Sequence, residues 1–595
     1  MGLPPSPAML LLAVIAIGLA YKFRAARSRS HTLPPGPKPW PLLGNALQVS
    51  LEYMHHTFSE WRQRYGTSVP TTINVPRARG DSSPVEDLPG WLKNALPASL
   101  SRVRQTQNER LRRMAKEEWK ASPRAERMDR IDPEMPSKKY GKLAEKLPRR
   151  QASDVVYFSV LGRGAIVLNS LAAQDLLDKR NAIYSDRPRS ILIHEMMDFS
   201  PNMPLLPYND EWRRQRRWIQ ASLLDKAKLD SYRPIQQREV VRMLAGILKT
   251  PDAFASLIRR YEGGIMLEIA YGRTITAHDD SFVKLACQAI LRLTEAGSPS
   301  ASLVDFVPIL RYMPTWLPGS AWKRKALDVR RLMQDVMHIP YEHTKQALAA
   351  GTAGPSFLTT LLEETSEKGS LSPEDERAMK GIASVLYAAG TDTSATVVVT
   401  FVLAMVLHPD VCRKAQMEID QVVGNARLPN FQDRDSLPYV ECILRETFRW
   451  NAPLPIGKHS TSITSDDLYR DFHIPRNTIV IANLWHMARD PEVYPAPEVF
   501  LPERYLGMDA STLDATDPRK SYSGSAGGEL CPGRQLADSS IWLAIACMLA
   551  TLDFSKARDA AGDEITPATD FMPGAISHPK PDSGRILKYA YITTD

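Results

Sequence analysis

Cysteine is scarce in this 595-residue chain: Cys287, Cys412, Cys442, Cys531 and Cys547 are all it has. An odd set without a CxxC pair or a regular spacing does not staple a secreted fold, and it points to a reducing compartment. Internal repeats are missing, as are a glycine-rich phosphate loop and any flavin or nicotinamide fingerprint, so no nucleotide-cofactor motif is present. Length alone suits one large core or two to three domains, and selects no fold.

Long apolar runs are also few. The run Ala8 to Tyr21 has 14 residues; as a helix it spans about 21 Å of a roughly 30 Å hydrocarbon layer. Leu3 and Phe23 extend it, no Lys or Arg precedes it, and Lys22, Arg24, Arg27 and Arg29 follow it. Charge after rather than before the apolar stretch predicts an uncleaved anchor over residues 1–23, with the rest of the chain cytosolic. Residues 24–45 are basic and then proline-rich (Leu33-Pro-Pro-Gly-Pro-Lys-Pro-Trp40) and predict a stiff hinge.

The charge surplus of +8 is local: residues 68–153 hold 19 Lys and Arg against 11 Asp and Glu, which leaves the remainder balanced at 56 against 56. That stretch is rich in Pro, Arg and Ser and has little apolar periodicity, apart from a charged helical pattern over 99–121. It predicts a basic, disordered insert between a helix ending near Gly66 and a strand pair beginning at Asp154. The flanking segments, 46–67 and 154–595, then form one catalytic domain. Such charge is usually solvated, and no nucleic-acid partner is expected.

Beyond the strand pair, helical signals dominate. An amphipathic pair covers 210–248. A long helix opens at Ser372-Pro373-Glu374-Asp375-Glu376, where a capping serine, a proline at the first helical position and three acids meet the positive end of the helix dipole. It runs to His408. Further helices are expected over 409–424, 436–450 and 534–552.

Several short patterns carry chemistry. Cys531 opens the last helix after a run of small residues, and a thiolate there can accept backbone N–H bonds and ligate iron; alternatively it is a buried structural cysteine, as Cys547 is expected to be. Gly390, Asp392 and Thr393 break an apolar helix with poor helix formers, either for proton relay or as back-bonded core residues. Glu446 and Arg449 share a helix face, and Arg504 can complete a forked network with them. Trp212 and Arg216, four apart, offer two donors to one carboxylate or else form a solvated helix face.

In this order, the proline-rich segment, Trp212-Arg-Arg-Gln-Arg216, Ala389-Gly-Thr-Asp-Thr393, Glu446-Thr-Phe-Arg449, Pro502-Glu-Arg-Tyr505 and Cys531-Pro-Gly533 resemble the cytochrome P-450 superfamily, of the fungal microsomal type. The resemblance covers nearly everything except residues 68–153. It implies a mainly α fold with small β-sheets, a helical prism around a buried haem behind a membrane anchor. It further implies haem b (iron protoporphyrin IX) with Cys531 as iron ligand, and Gly390 leaving room for dioxygen beside the oxygen-activating pair Asp392 and Thr393. Trp212, Arg216 and His459 would be placed at the propionates, and Gly527 in the loop before the cysteine. Glu446, Arg449 and Arg504 would hold the haem-side core.

The implied reaction is insertion of one oxygen atom from dioxygen into a small hydrophobic substrate. Electrons come from NADPH through a partner reductase, at the endoplasmic reticulum membrane with the catalytic domain cytosolic. The apolar segment 191–208 corresponds to a substrate-contacting loop and suits a lipid-like, terpenoid or polyketide substrate of secondary metabolism.

One departure stands out. The family pattern before the cysteine has a phenylalanine where this chain has Gly524 and an arginine where it has Glu529. A carboxylate about 4 Å from a propionate costs roughly 4 kcal/mol at an effective dielectric near 20. This supports an alternative, a non-catalytic paralogue impaired in haem binding. A haem-thiolate isomerase or dehydratase is the other alternative, against which Thr393 speaks.

Overall fold

The computed structural model describes residues 33–40, 43–46, 48–50, 53–65, 154–170, 175–199, 201–275, 280–296, 302–367, 369–457, 461–470, 472–520, 531–559, 561–572, 574–579 and 590–593. The anchor run, the helical pattern over 99–121, His459, Gly524, Gly527 and Glu529 lie outside them.

Among the described residues, the helices of more than ten residues are α1 (Met54–Tyr65), α2 (Asp210–Leu223), α3 (Lys226–Lys249), α4 (Phe254–Tyr271), α5 (Ser281–Ala296), α6 (Ala321–Ala349), α7 (Phe357–Glu367), α8 (Pro373–Leu407), α9 (Pro409–Val422), α10 (Pro438–Trp450) and α11 (Arg534–Thr551). The strands are β1 (Val155–Val160), β2 (Arg163–Leu168), β3 (Thr461–Ser462), β4 (Asp467–Tyr469), β5 (Phe472–Ile474), β6 (Ile479–Ala482), β7 (Asp553–Arg558), β8 (Glu564–Ile565) and β9 (Ala590–Thr593). The fold is therefore mainly helical with small sheets.

The sheets follow from local chemistry. Leu161 and Gly162 both have positive φ, 48° and 82°, which gives the two-residue turn whose twist suits an antiparallel hairpin. β1 and β2 pair through it, from Val160↔Arg163 out to Val155↔Leu168. β6 then adds to β2 in parallel, and β3 to β6 antiparallel, in the order β1-β2-β6-β3. β4 and β5 form a separate hairpin, and β7 lies between β8 and β9.

Part of the proline-rich segment, expected as a stiff hinge, lies along β1. Tyr157 N donates to Pro35 O at 2.9 Å, Ser159 N donates to Asn45 Oδ1 at 2.9 Å, and a Cβ on Gly36 would fall 1.7 Å from Tyr157 O. Only glycine allows that approach.

α8 is the central element. Ser372 caps it by accepting from Asp375 N at 3.0 Å, a contact that contributes about 1 kcal/mol. Although it is the one described helix long and apolar enough to cross a membrane, most of it is buried inside the protein. It packs against α4 most extensively and also meets α6, α9, α10, α11 and β7. Phe401, Ala404 and Met405 are fully buried along it. It is a core helix.

The chain divides into two units. The larger, Met1–Tyr65 with Ser153–Leu506 and Ala510–Asp595, carries every element above. The smaller comprises Gly66–Ala152 and Gly507–Asp509, and of it only residues 507–509 are described.

Candidate active site

Cys531 sits three residues before α11, and the turn that follows aims backbone N–H groups at its sulfur. The thiol pKa is raised, above all by burial; N–H bonds from Gly533 and Arg534 and the nearby charges of Arg216 and Arg534 pull it the other way. By surface area, however, Cys531 is exposed. The residue is thus surrounded by protein atoms while keeping accessible surface. The other cysteines differ: Cys547 is wholly buried and its thiol donates to Pro429 O at 3.4 Å, and burial pushes Cys412, Cys442 and Cys547 up to about 12.

A second opening occurs in the middle of α8. Residues Gly381–Tyr387 and Ser394–Val398 are buried, but Ala389 is exposed and Ala388, Gly390 and Thr393 are half-buried. Ala389 and Thr393, four apart, lie on one helix face. Here Thr393 Oγ1 donates back to Ala389 O at 2.7 Å, as do Thr391 to Tyr387 O, Thr396 to Asp392 O and Thr400 to Thr396 O at 2.7–2.8 Å. Its hydroxyl proton is thus held within the helix, and its oxygen keeps a free lone pair on the open face. Gly390 has a packing role: a Cβ there would come within 2.7 Å of Met266 Sδ and Cε on α4.

Asp392, the neighbour of Thr393 on α8, is buried. Its Oδ1 lies 3.5 Å from Arg259 Nε of α4, and its Oδ2 lies 3.3 Å from His578 Nε2. Neither partner was foreseen from sequence.

Trp212 and Arg216 are both buried on α2, the guanidinium about the ring at 6.0 Å from its centroid. Asn209 caps this helix by accepting from Trp212 N. Through its effect on the thiol, Arg216 belongs with Cys531.

Glu446 and Arg449 are fully buried, joined by two hydrogen bonds of 2.8 Å. Arg504 Nε adds a third at 3.0 Å, and Leu501 N a fourth at 2.8 Å. The remaining Arg449 donors reach Ala488 O, Pro497 O and Val499 O. The network thus ties α10 to the loop before Arg504.

The segment 191–208, read from sequence as a loop, holds a π-turn at Leu192–Met196 and a 3-10 turn at Met203–Leu205. Buried Asp305 fixes it, accepting from Ser190 Oγ and Leu192 N at 3.2 Å. Gly381 lets it lie against α8, since a Cβ would fall 2.0 Å from Pro201 O.

The family model for cytochrome P450 matches residues 131–583. The chain belongs to the cytochrome P450 family. It is 38% identical over 582 residues to cytochrome P450 monooxygenase 136 of Postia placenta, covering 98% of this chain and 93% of that one. It is also 38% identical to monooxygenase 176 of the same fungus, over 95% and 91% of the two chains, and 40% identical to the monooxygenase claR of Ampulloclitocybe clavipes, over 71% and 78%. This P450 is therefore an oxidoreductase that incorporates oxygen. The family implies a haem-thiolate cofactor, a redox partner, and dioxygen with an organic substrate. The donor set fits that cofactor: an accessible sulfur with two N–H bonds and a cation beside it is pre-arranged for a thiolate, and bound iron deprotonates a thiol outright.

Proposed function

We propose that this P450 is a haem b monooxygenase that places one oxygen atom of dioxygen into a small hydrophobic substrate, with electrons from NADPH through a partner reductase. The observation that carries this reading is Cys531, exposed and receiving N–H bonds from Gly533 and Arg534. Haem supplies the oxygen-activating chemistry when bound.

The chain's own residues supply the rest. Cys531 holds the iron, while Arg216 with Trp212, and with His459, balances the propionates; Gly527 completes the cofactor-binding set. Thr393 presents its oxygen on the open face and its neighbour Asp392 carries protons. Glu446, Arg449 and Arg504 hold the core on that side. The apolar side chains of the 191–208 segment favour a lipid-like or terpenoid substrate of secondary metabolism.

A membrane-bound state at the endoplasmic reticulum, anchored by residues 1–23 with the catalytic domain in the cytosol, is part of the proposal. Besides the N-terminal run, an apolar patch supports it: Leu303, Ile309, Tyr312 and Trp316 are 60%, 73%, 68% and 78% exposed within one short stretch. Large exposed aromatic and aliphatic groups of this kind suit an interfacial setting.

Gly524 and Glu529 favour a second reading, in which haem binding is impaired and catalysis lost. The reduced, carbon-monoxide-bound spectrum of the full chain separates the two. A strongly red-shifted Soret band that disappears in Cys531→Ala is expected. No haem spectrum at all supports the impaired paralogue, and an unaltered band in Cys531→Ala overturns the assignment of the ligand.

A further inference from the structure

Asp392 has two different partners on its two oxygens. Arg259, always charged, stands at Oδ1, whereas His578, which can gain or lose a proton, stands at Oδ2. His578 comes from the loop after β8 and is partly exposed, 28% for the side chain against 8% for Asp392. It therefore stands between solvent and a buried carboxylate.

Its other ring nitrogen is also engaged. His578 Nδ1 lies 2.9 Å from Thr396 Oγ1, and the same oxygen is 2.8 Å from Asp392 O. With one hydrogen, Thr396 can serve only one of these as donor at a time. When His578 is charged, Nε2–H donates to Asp392, Nδ1–H donates to Thr396, and Thr396 donates to Asp392 O. When it is neutral with its proton on Nε2, Thr396 turns to donate to Nδ1. If Nε2 instead gives its proton to Asp392 Oδ2, the new carboxyl O–H points at Nε2 while Nδ1–H stays on Thr396. One N–H bond breaks, one O–H bond forms, and an ion pair becomes a neutral pair. The same heavy-atom positions serve all three states.

We infer that His578 is the positioning residue for Asp392, poised by Thr396 to hand it a proton from the solvent side while Arg259 holds the other oxygen in place. This rests on the reading of Asp392 as the proton carrier. Among the described residues, the titratable groups nearby include Cys287 of α5, which interacts with both Asp392 and Arg259, and Tyr387, which interacts with Cys287 and Arg259. Burial raises both, so they stay neutral and uncharged where histidine titrates, between about pH 5 and 8.

The test uses the full-length holoenzyme with a partner reductase, NADPH and no added substrate, and reads hydrogen peroxide released per NADPH across that range. Peroxide release rises when protons arrive late. Wild type is expected to show one inflection; His578→Gln, retaining the red-shifted carbon monoxide band, is expected to lose it and to release at least about twofold more peroxide at the acid end. Asp392→Asn with a wild-type profile removes the underlying reading of Asp392. Asp392→Asn altered while His578→Gln keeps the inflection overturns the inference alone. Should His578→Gln fail to fold, Thr396→Val takes its place: an unmoved inflection overturns the inference. Independently of turnover, the histidine resonance absent from His578→Gln is expected to change its chemical shift in Asp392→Asn, and an identical chemical shift counts against the contact.

Discussion

Glu446 and Arg449 face each other one helical turn apart with neither side chain reaching solvent, joined by two hydrogen bonds of 2.8 Å. A pair so deeply desolvated stabilises only while every donor and acceptor is matched. Arg449 meets that demand with five contacts, two to the carboxylate and three to backbone carbonyls of Ala488, Pro497 and Val499. Lysine keeps the charge but has a single nitrogen with three donors, so it leaves acceptors unpaired. Arg449→Lys is expected to cost about 3–5 kcal/mol and to cut the yield of folded protein. A melting temperature within error of the original would show that the network is dispensable.

Glu262 of α4 is wholly buried beside Ser540 of α11, whose hydroxyl lies 3.1 and 3.3 Å from its two oxygens. Burial pushes its pKa up to about 8, against a partial lowering by Ser540. In the unfolded chain this carboxyl ionises near 4.3. Between those values the folded state binds the extra proton, so stability falls as pH rises, by at most about 1.4 kcal/mol per pH unit. Below the window the effect vanishes, because both states are protonated. Denaturant unfolding at several pH values is expected to show that slope, and Glu262→Gln to flatten it, with its advantage over wild type largest at the alkaline end. Parallel slopes for the two proteins would refute the shift.

What could be read from the sequence is what local chemistry encodes. Ser372, Pro373 and the acids behind them mark the start of α8 within a few residues, and the strand pair is legible from Asp154 onward, because caps and alternating strands are set by neighbours. Partners brought in from far along the chain were out of reach. Nothing near Leu168 announces that β2 pairs in parallel with β6 at Ala482, since that register depends on the intervening helices. Similarly, Asp392 stood out as a polar break in an apolar helix, but His578, whose contact with Thr396 spans 182 positions, sits in a loop with no pattern of its own. Arg259 reads as one more charge on an amphipathic helix. The role of Gly390 was legible only as spare room; the side chain that uses the room, Met266, was not.

Glu529 stands where the family pattern has an arginine, and a negative charge close to a propionate opposes haem binding. Replacing it by arginine turns the repulsion into a charge-assisted bond. Glu529→Arg is expected to raise the molar ratio of haem to protein in the purified enzyme, measured from the absorption of extracted haem. An unchanged ratio would mean that Glu529 points away and that Arg216 with His459 suffices.

Gly390 tests whether the middle of α8 is shaped for packing or for space on its open face. Alanine improves helix propensity by about 1 kcal/mol, yet its methyl group would meet Met266 at 2.7 Å, and overpacking of this kind costs about 1–3 kcal/mol. The two together leave a loss of about 0–2 kcal/mol, and because methionine is flexible the net effect is expected in the lower half of that range. Shortening the opposing side chain removes the clash, so Met266→Ala should convert Gly390→Ala from destabilising to neutral or favourable relative to Met266→Ala alone. A double-mutant cycle measured by unfolding gives that coupling directly. If the two substitutions add without coupling, the close approach of α8 and α4 does not depend on this glycine, and space at the open face becomes the remaining reason for its presence.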